Sequence, residues 1–257
     1  MTTRLHVVVA HPDDETFGCG SLLLYAADRG VHTVVTCLTR GEAGEIADDL
    51  DAPRGVGALR EDELRAAASA LGVAEVEVGD LTDSGMDGEP APDSLCGVSG
   101  QALTDAVADA LARHRADVVV TLDGGDGHRD HRRLRQVLEG LLVGGPTPLY
   151  LQCLPRSLMY EWIRHHAGDQ HAAAYTELPE IGTPDDLVTT LVDTGAYLAS
   201  RTAAIALHRS QRSPFDGLPA DLSRRFLGRE HLIRANPPWT GGPVETALST
   251  RATTTDS

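Results

Sequence analysis

The sequence contains no lysine, and all 22 of its basic residues are arginine. That absence removes Schiff-base chemistry and the phosphate-binding lysine of a P-loop. Basic charge is short altogether: 38 acidic residues leave a formal net charge of −16, which would repel a nucleic acid or an anionic membrane surface. Cysteine is scarce as well. Cys19, Cys37, Cys96 and Cys153 form no CxxC pair, and Cys19, Cys37 and Cys153 lie in or beside apolar runs, so they read as reduced core residues rather than as a zinc clamp or a disulfide framework. No apolar run is long enough to span a bilayer, and the first strand starts at once and runs into a charged cluster, which leaves no signal-peptide pattern. A cytoplasmic, reducing setting is the expectation. Also missing is any Pro/Gly/Ser linker between two periodic blocks, so the 257 residues are expected to form one domain with a sizeable core.

Short apolar, β-branched runs alternate with helical patterns. Leu5–Val9, His32–Leu38, Glu75–Val78, Val118–Leu122 and Pro148–Cys153 read as strands apolar on both faces, the signature of a buried parallel sheet. Between them, Thr16–Arg29, Ala58–Leu71, Gln101–His114 and Asp130–Val143 carry helical spacing. The expected architecture is α/β, a Rossmann-like doubly wound and mostly parallel sheet in the order 3-2-1-4-5, flanked by helices. Further on, Ser157–His171 reads as a helix over the site, Leu187–Val192 as an added edge strand and Tyr197–His208 as a helix with an Ala-rich face. The domain is taken as 1–236 with C-terminal additions over the site, and 237–257, rich in Pro, Gly, Thr and Ser, as a disordered tail.

In open α/β sheets ligands bind beyond the carboxyl ends of the strands, at the point where the winding reverses. Here the first strand ends in Ala10-His11-Pro12-Asp13-Asp14-Glu15 and the fourth in Gly127-His128-Arg129-Asp130-His131. Acidic residues at a helix start serve ordinary capping, but two clusters at neighbouring strand ends make one site with the donors of a metal centre. Two histidines and one carboxylate are a recurring catalytic zinc set that leaves a position open. Adjacent Asp13 and Asp14 cannot easily point the same way, so one is expected to hold the metal and the other to take a proton; a remaining histidine, charged, would stabilise an oxyanion. That chemistry fits hydrolysis of an amide or ester. A non-catalytic nucleotide-binding module would need G-x-G-x-x-G after the first strand, where this chain has His-Pro-Asp-Asp. His165, His166 and His171 read as solvated, and the loop 79–100 as a functional one because of its length.

The sequence resembles the PIG-L/LmbE family of zinc-dependent N-acetylglucosaminyl deacetylases. The likeness rests on AHPDDE (Ala10–Glu15), VVVTLDGGDGHRDH (Val118–His131) and the intervening TCLTRGEAGE, LREDELRAAASALGV and TDSGMDG, with ALHRSQ (Ala206–Gln211) further along. It implies His11, Asp14 and His131 as ligands of one Zn2+ or another divalent ion, Asp13 as general base, and His128 in the oxyanion and leaving-group role with its ring oriented by Asp130. It also implies Arg60 and Asp83 as residues that grip sugar hydroxyls, with Glu42 nearby. In the mycothiol branch of the family a tyrosine commonly stands two residues before the histidine of GHPDH; this chain has Asp126 there, facing the substrate, and Arg129 in place of the proline. The resemblance thus implies removal of an N-acetyl group from an N-acetylglucosamine-containing small molecule, a glycoside or a pseudosaccharide of secondary metabolism, or alternatively amidase action on cysteinyl-glucosamine thiol conjugates. The partner is then a small amino-sugar substrate, not a nucleic acid or a membrane, and assembly into a homo-oligomer stays open.

Overall fold

The computed structural model describes residues 3–44, 46–47, 50–167 and 181–250. Five strands, β1 (Arg4–Val9), β2 (His32–Cys37), β3 (Glu75–Val78), β4 (Val118–Leu122) and β5 (Leu149–Gln152), run parallel in the order β3-β2-β1-β4-β5. The winding therefore reverses between β1 and β4, where Leu5 pairs with Val118 and Val7 with Val120. Both faces of the sheet are covered, which explains the lack of polar alternation in its strands. Leu5, Val7 and Val9 pack with α2 (Gly20–Asp28) and α3 (Val56–Ala70), whereas Val8 packs with α4 (Gly100–His114) and α5 (Arg129–Leu142).

The helical stretch after β1 is interrupted: α1 (Asp14–Phe17) stops at Gly18 before α2 begins. The cause lies 180 residues along the chain. The fully buried Arg201 of α7 (Leu198–Ile205) binds the carbonyl oxygens of Thr16 (3.2 Å), Phe17 and Gly18 (3.1 Å), taking up acceptors that a continuous helix would have used. Gly18 is required there, since a Cβ would lie 2.6 Å from Leu122 and 2.8 Å from the Asp14 carbonyl oxygen.

Beyond β5 the sheet continues antiparallel, in the order β5-β7-β6, with β6 at Thr190–Asp193 and β7 at Arg229–Asn236. The edge strand was legible; β7 was not, because its apolar Leu232 and Ile233 are adjacent and the remainder is largely charged or polar. Helix α6 (Arg156–Ala167) covers only part of the expected Ser157–His171, and His171 lies outside the described residues. Helix α8 (Ala220–Leu227) packs Leu222, Phe226 and Leu227 against Leu158 of α6 and Ile205 of α7. Of the segment expected as a tail, residues 237–250 are described, and part of it is tied to the sheet edge. Glu245 exchanges backbone hydrogen bonds with Thr189 and Leu191, and its carboxylate accepts from Arg234 (2.5 Å) and Thr190 (2.8 Å). All four cysteines are free. Among the described residues no helix is long and apolar enough to cross a membrane.

Candidate metal centre and substrate cavity

The β1 and β4 ends converge as the strand order requires. His11 Nδ1, Asp14 Oδ2 and His131 Nε2 form a triangle with sides of 3.2, 3.5 and 3.1 Å. A tetrahedral zinc with ligands at ~2.0–2.1 Å has ligand–ligand edges of about 3.3–3.4 Å, so the three donors fit one face of such a site. The far nitrogen of each histidine meets a carboxylate: His11 Nε2 is 3.1 Å from Asp130 Oδ2, and His131 Nδ1 is 2.6 Å from Asp126 Oδ2. That is the carboxylate–histidine arrangement by which a ligating imidazole is oriented and made more basic. Two wider groupings also occur, His11 with His128 and His131, and His11 with Asp83 and Asp130. They fit less well, because His128 Nδ1 accepts the Asp130 N–H (3.2 Å) and Asp130 Oδ2 accepts the Ser84 N–H (3.0 Å).

The charge balance points the same way. Burial opposes charge on His131, yet the Asp14 and Asp126 carboxylates raise its pKa to about 10. His11, equally buried, is raised by Asp130, Asp14 and Asp83. Burial works against the Asp14 carboxylate too, but His131 and His11 hold it well below its ordinary range. The carboxylates thus demand positive charge at their centre, which protons on the two rings or a divalent cation can supply.

Asp13 stands apart from this triangle. Its backbone stands at φ 116°, a conformation costing on the order of 1–3 kcal/mol that the surroundings must hold in place. They do so from two sides. Its N–H donates to Glu15 Oε2 (3.0 Å), while Arg60 donates to Asp13 Oδ2 (3.0 Å), to the Pro12 carbonyl (2.5 Å) and to that of Gly41 (2.8 Å). Burial raises the Asp13 pKa to about 6 against the pull of Arg60, with Asp14 adding to the rise.

The geometry gives the other expected site residues the following partners. Asp130 orients His128 through its backbone N–H, while its carboxylate serves His11. His128 Nδ1 accepts the Asp130 N–H at 3.2 Å, which leaves Nε2 to carry the ring proton, and burial and the neighbouring His11 and His131 lower its pKa to about 4. Arg60 lines the cavity but is almost fully buried, and its guanidinium grips Asp13 and two carbonyls. Asp126, expected to face substrate, holds His131, which gives a physical reason for a carboxylate where the branch has tyrosine. Asp83 lines the cavity, with Oδ1 3.4 Å from His11 Nε2, whereas Glu42 is exposed and accepts the Asp83 N–H at 3.1 Å from behind.

Arg129, in place of proline, reaches across to the loop after β3. It donates to the carbonyls of Ser84, Gly85 (2.7 Å), Asp87 (3.1 Å) and Gly88 (2.8 Å), pinning the segment that carries Asp83 and Met86 into the cavity wall. The motif analysis also missed the support behind Glu15: His208 Nε2 lies 2.9 Å from Glu15 Oε1, with both side chains fully buried. The ALHRSQ likeness was the available signal. The cavity itself encloses about 760 Å3 and extends from His11, Asp14 and His131 to a wall of Phe17, Leu154, Met159, Trp162, Phe215 and Phe226.

Residues 6–141 match the PIG-L family, described as GlcNAc-PI de-N-acetylase. A 1D-myo-inositol 2-acetamido-2-deoxy-alpha-D-glucopyranoside deacetylase of Acidothermus cellulolyticus is 34% identical over 91% of this chain and 89% of its own. One of the same description from Thermobifida fusca is 38% identical over 81% and 83%. Among solved structures, the N,N'-diacetylchitobiose deacetylase of Pyrococcus horikoshii superposes with a TM-score of 0.58, covering 90% of this chain and 83% of that one at 18% identity, a likeness of fold. With its two motif turns meeting as described and relatives aligned along most of its length, this chain belongs to the PIG-L family.

Proposed function

We propose that the protein is a metal-dependent hydrolase that removes the N-acetyl group from an N-acetylglucosamine-containing small molecule. The observation that carries the proposal is the triangle of His11 Nδ1, Asp14 Oδ2 and His131 Nε2, with sides of 3.1–3.5 Å, beside a separate carboxylate, Asp13. The names of the relatives supply the substrate class. His11, Asp14 and His131 would hold the ion, which when bound would supply Lewis-acid polarisation of water and carbonyl oxygen. Zinc suits two imidazoles and a carboxylate.

Asp13 takes the proton of the attacking water and passes it to the amine nitrogen as the C–N bond breaks, so that acetate and a primary amine leave. The neutral His128, with its proton on Nε2, donates to the oxygen that gains charge in the tetrahedral transition state. Asp126 and Asp130 keep His131 and His11 in register, and Arg60 with Glu15 fixes the unusual Asp13 backbone.

The test measures acetate and free amine from N-acetylated glucosamine glycosides, alongside a cysteinyl-glucosamine conjugate. Asp13→Asn is expected to lose ~10²–10⁴ in kcat while retaining bound metal, and His131→Ala to lose the metal as counted by elemental analysis. Full turnover by Asp13→Asn would refute the assignment, and preferential cleavage of the cysteinyl conjugate would favour amidase action.

A further inference from the structure

The cavity is larger than one sugar needs, and one wall of it is hydrocarbon. At about 30 Å3 per water molecule, its 760 Å3 holds the volume of roughly 25 waters, whereas an N-acetylhexosamine has only about 15 non-hydrogen atoms. Space therefore remains for an aglycone, and the lining specifies its chemistry.

Phe17, Leu154, Met159, Trp162, Phe215 and Phe226 belong to one apolar cluster with α8, and all but Phe226 stay partly open to the cavity. Phe17 faces Phe215 edge-on at 6.3 Å between ring centres, and Phe215 lies 5.7 Å from Phe226. Trp162 has spent its polar handle, because its indole N–H donates to the Pro214 carbonyl at 2.6 Å. Phe17 is also one helical turn from Asp14 on α1, so the wall begins directly beside the metal triangle. Elsewhere the lining is acidic, with Asp13, Asp83, Asp87, Asp123 and Asp126. Arg60 is the one arginine among the described lining residues, and its guanidinium is committed to Asp13, Pro12 and Gly41. Among the described lining residues, a phosphate or carboxylate laid against this wall would find no free guanidinium. A polyhydroxylated ring laid against the wall would lose hydrogen bonds to water without replacement.

We propose that the aglycone of the substrate is uncharged and predominantly hydrocarbon, an alkyl or aryl group, and that it lies on the Phe17–Trp162–Phe226 wall while the acetamido group meets the metal triangle. This rests on the deacetylase reading and adds the class of glycoside. The wall touches a part of the substrate that does not react, so it acts through KM more than kcat.

The test is a matched series of methyl, butyl and hexyl 2-acetamido-2-deoxyglucosides, with the myo-inositol glycoside as the polar comparison. Burying one methylene contributes a factor of about four (about 0.8 kcal/mol), so kcat/KM is expected to rise at least tenfold from methyl to hexyl, mainly through KM. The inositol glycoside is expected to do no better than methyl. Trp162→Ser is expected to pull the hexyl-to-methyl ratio toward one, and a ratio is insensitive to the amount of folded protein. A flat wild-type series, or an inositol glycoside preferred over hexyl, overturns the proposal. If no glycoside releases acetate, the deacetylase reading fails by itself. Calorimetric binding of hexyl against methyl glucoside, neither of which carries an amide, then decides the wall: tenfold tighter hexyl binding with a negative heat-capacity change supports it, and equal affinity overturns it.

Discussion

Arg129 offers the sharpest test of how this chain builds its site, because it occupies a position where the family branch carries proline. Its guanidinium binds four carbonyl oxygens, those of Ser84, Gly85, Asp87 and Gly88, and so fastens a loop 41 to 45 residues earlier onto the start of α5. A hydrogen bond from a charged donor contributes ~1.5–3 kcal/mol when well buried, and an ordinary one about 0.5–1.5. Arg129 is half-buried, and several bonds on one group share their geometry rather than adding, so a total of about 2–3 kcal/mol for ordering the loop is reasonable. Arg129→Ala should therefore release residues 84–88, with amide hydrogen exchange there accelerating by roughly 30- to 150-fold at ~1.4 kcal/mol per decade. Asp83 and Met86 would lose their fixed places in the cavity wall, and KM should rise by more than tenfold while kcat changes little. Arg129→Lys should recover only part of this, since one ammonium cannot serve acceptors spread over five residues. Unchanged exchange at 84–88 together with an unchanged KM would refute the reasoning.

Two further outcomes follow from buried charge outside the metal triangle itself. Glu230→Leu removes the carboxylate 3.0 Å from the buried Arg201 guanidinium and leaves that cation with carbonyls and the Ser21 hydroxyl. Breaking a buried pair in this way costs ~3–5 kcal/mol, or roughly 10 °C in Tm for a chain this long, and the double change with Arg201→Met should recover part of the loss in the same melting experiment. His208 faces Glu15 on α1, the Asp13 carboxylate and Glu63 of α3, and against the opposing effect of burial these carboxylates raise its pKa above 6.5. A raised histidine contributes stability that is complete below about pH 6.5 and is lost as pH climbs through the folded value. His208→Gln should accordingly destabilise by about 2 kcal/mol near pH 6 and by less near pH 9. Urea unfolding at the two pH values checks this, and a gap that widens with pH would contradict it.

The sequence alone determined the sheet order and the place of the site. Runs such as Val7-Val8-Val9 and Val118-Val119-Val120 are apolar on both faces, which requires a covered parallel sheet, and the right-handed crossovers that follow leave β1 and β4 adjacent at the reversal. That the β1 and β4 ends form one site was legible because metal-binding residue types at two strand ends have few other uses, whereas the choice of His11, Asp14 and His131 as ligands came only from the likeness to the PIG-L/LmbE family. Tertiary structure alone decided what the neighbouring groups do. Arg60 is implied by the family likeness as a sugar contact, yet the fold buries it against Asp13; Asp126 reads as a substrate contact, yet it lies 2.6 Å from His131 Nδ1. The break after Phe17, the anchoring of Glu245 and the apolar wall were equally hidden. Each depends on a partner far along the chain, respectively Arg201, the β6–β7 edge, and the α6 and α8 side chains. Local periodicity records which face of an element is buried, but it carries no information about which distant group completes a hydrogen bond or closes a cavity.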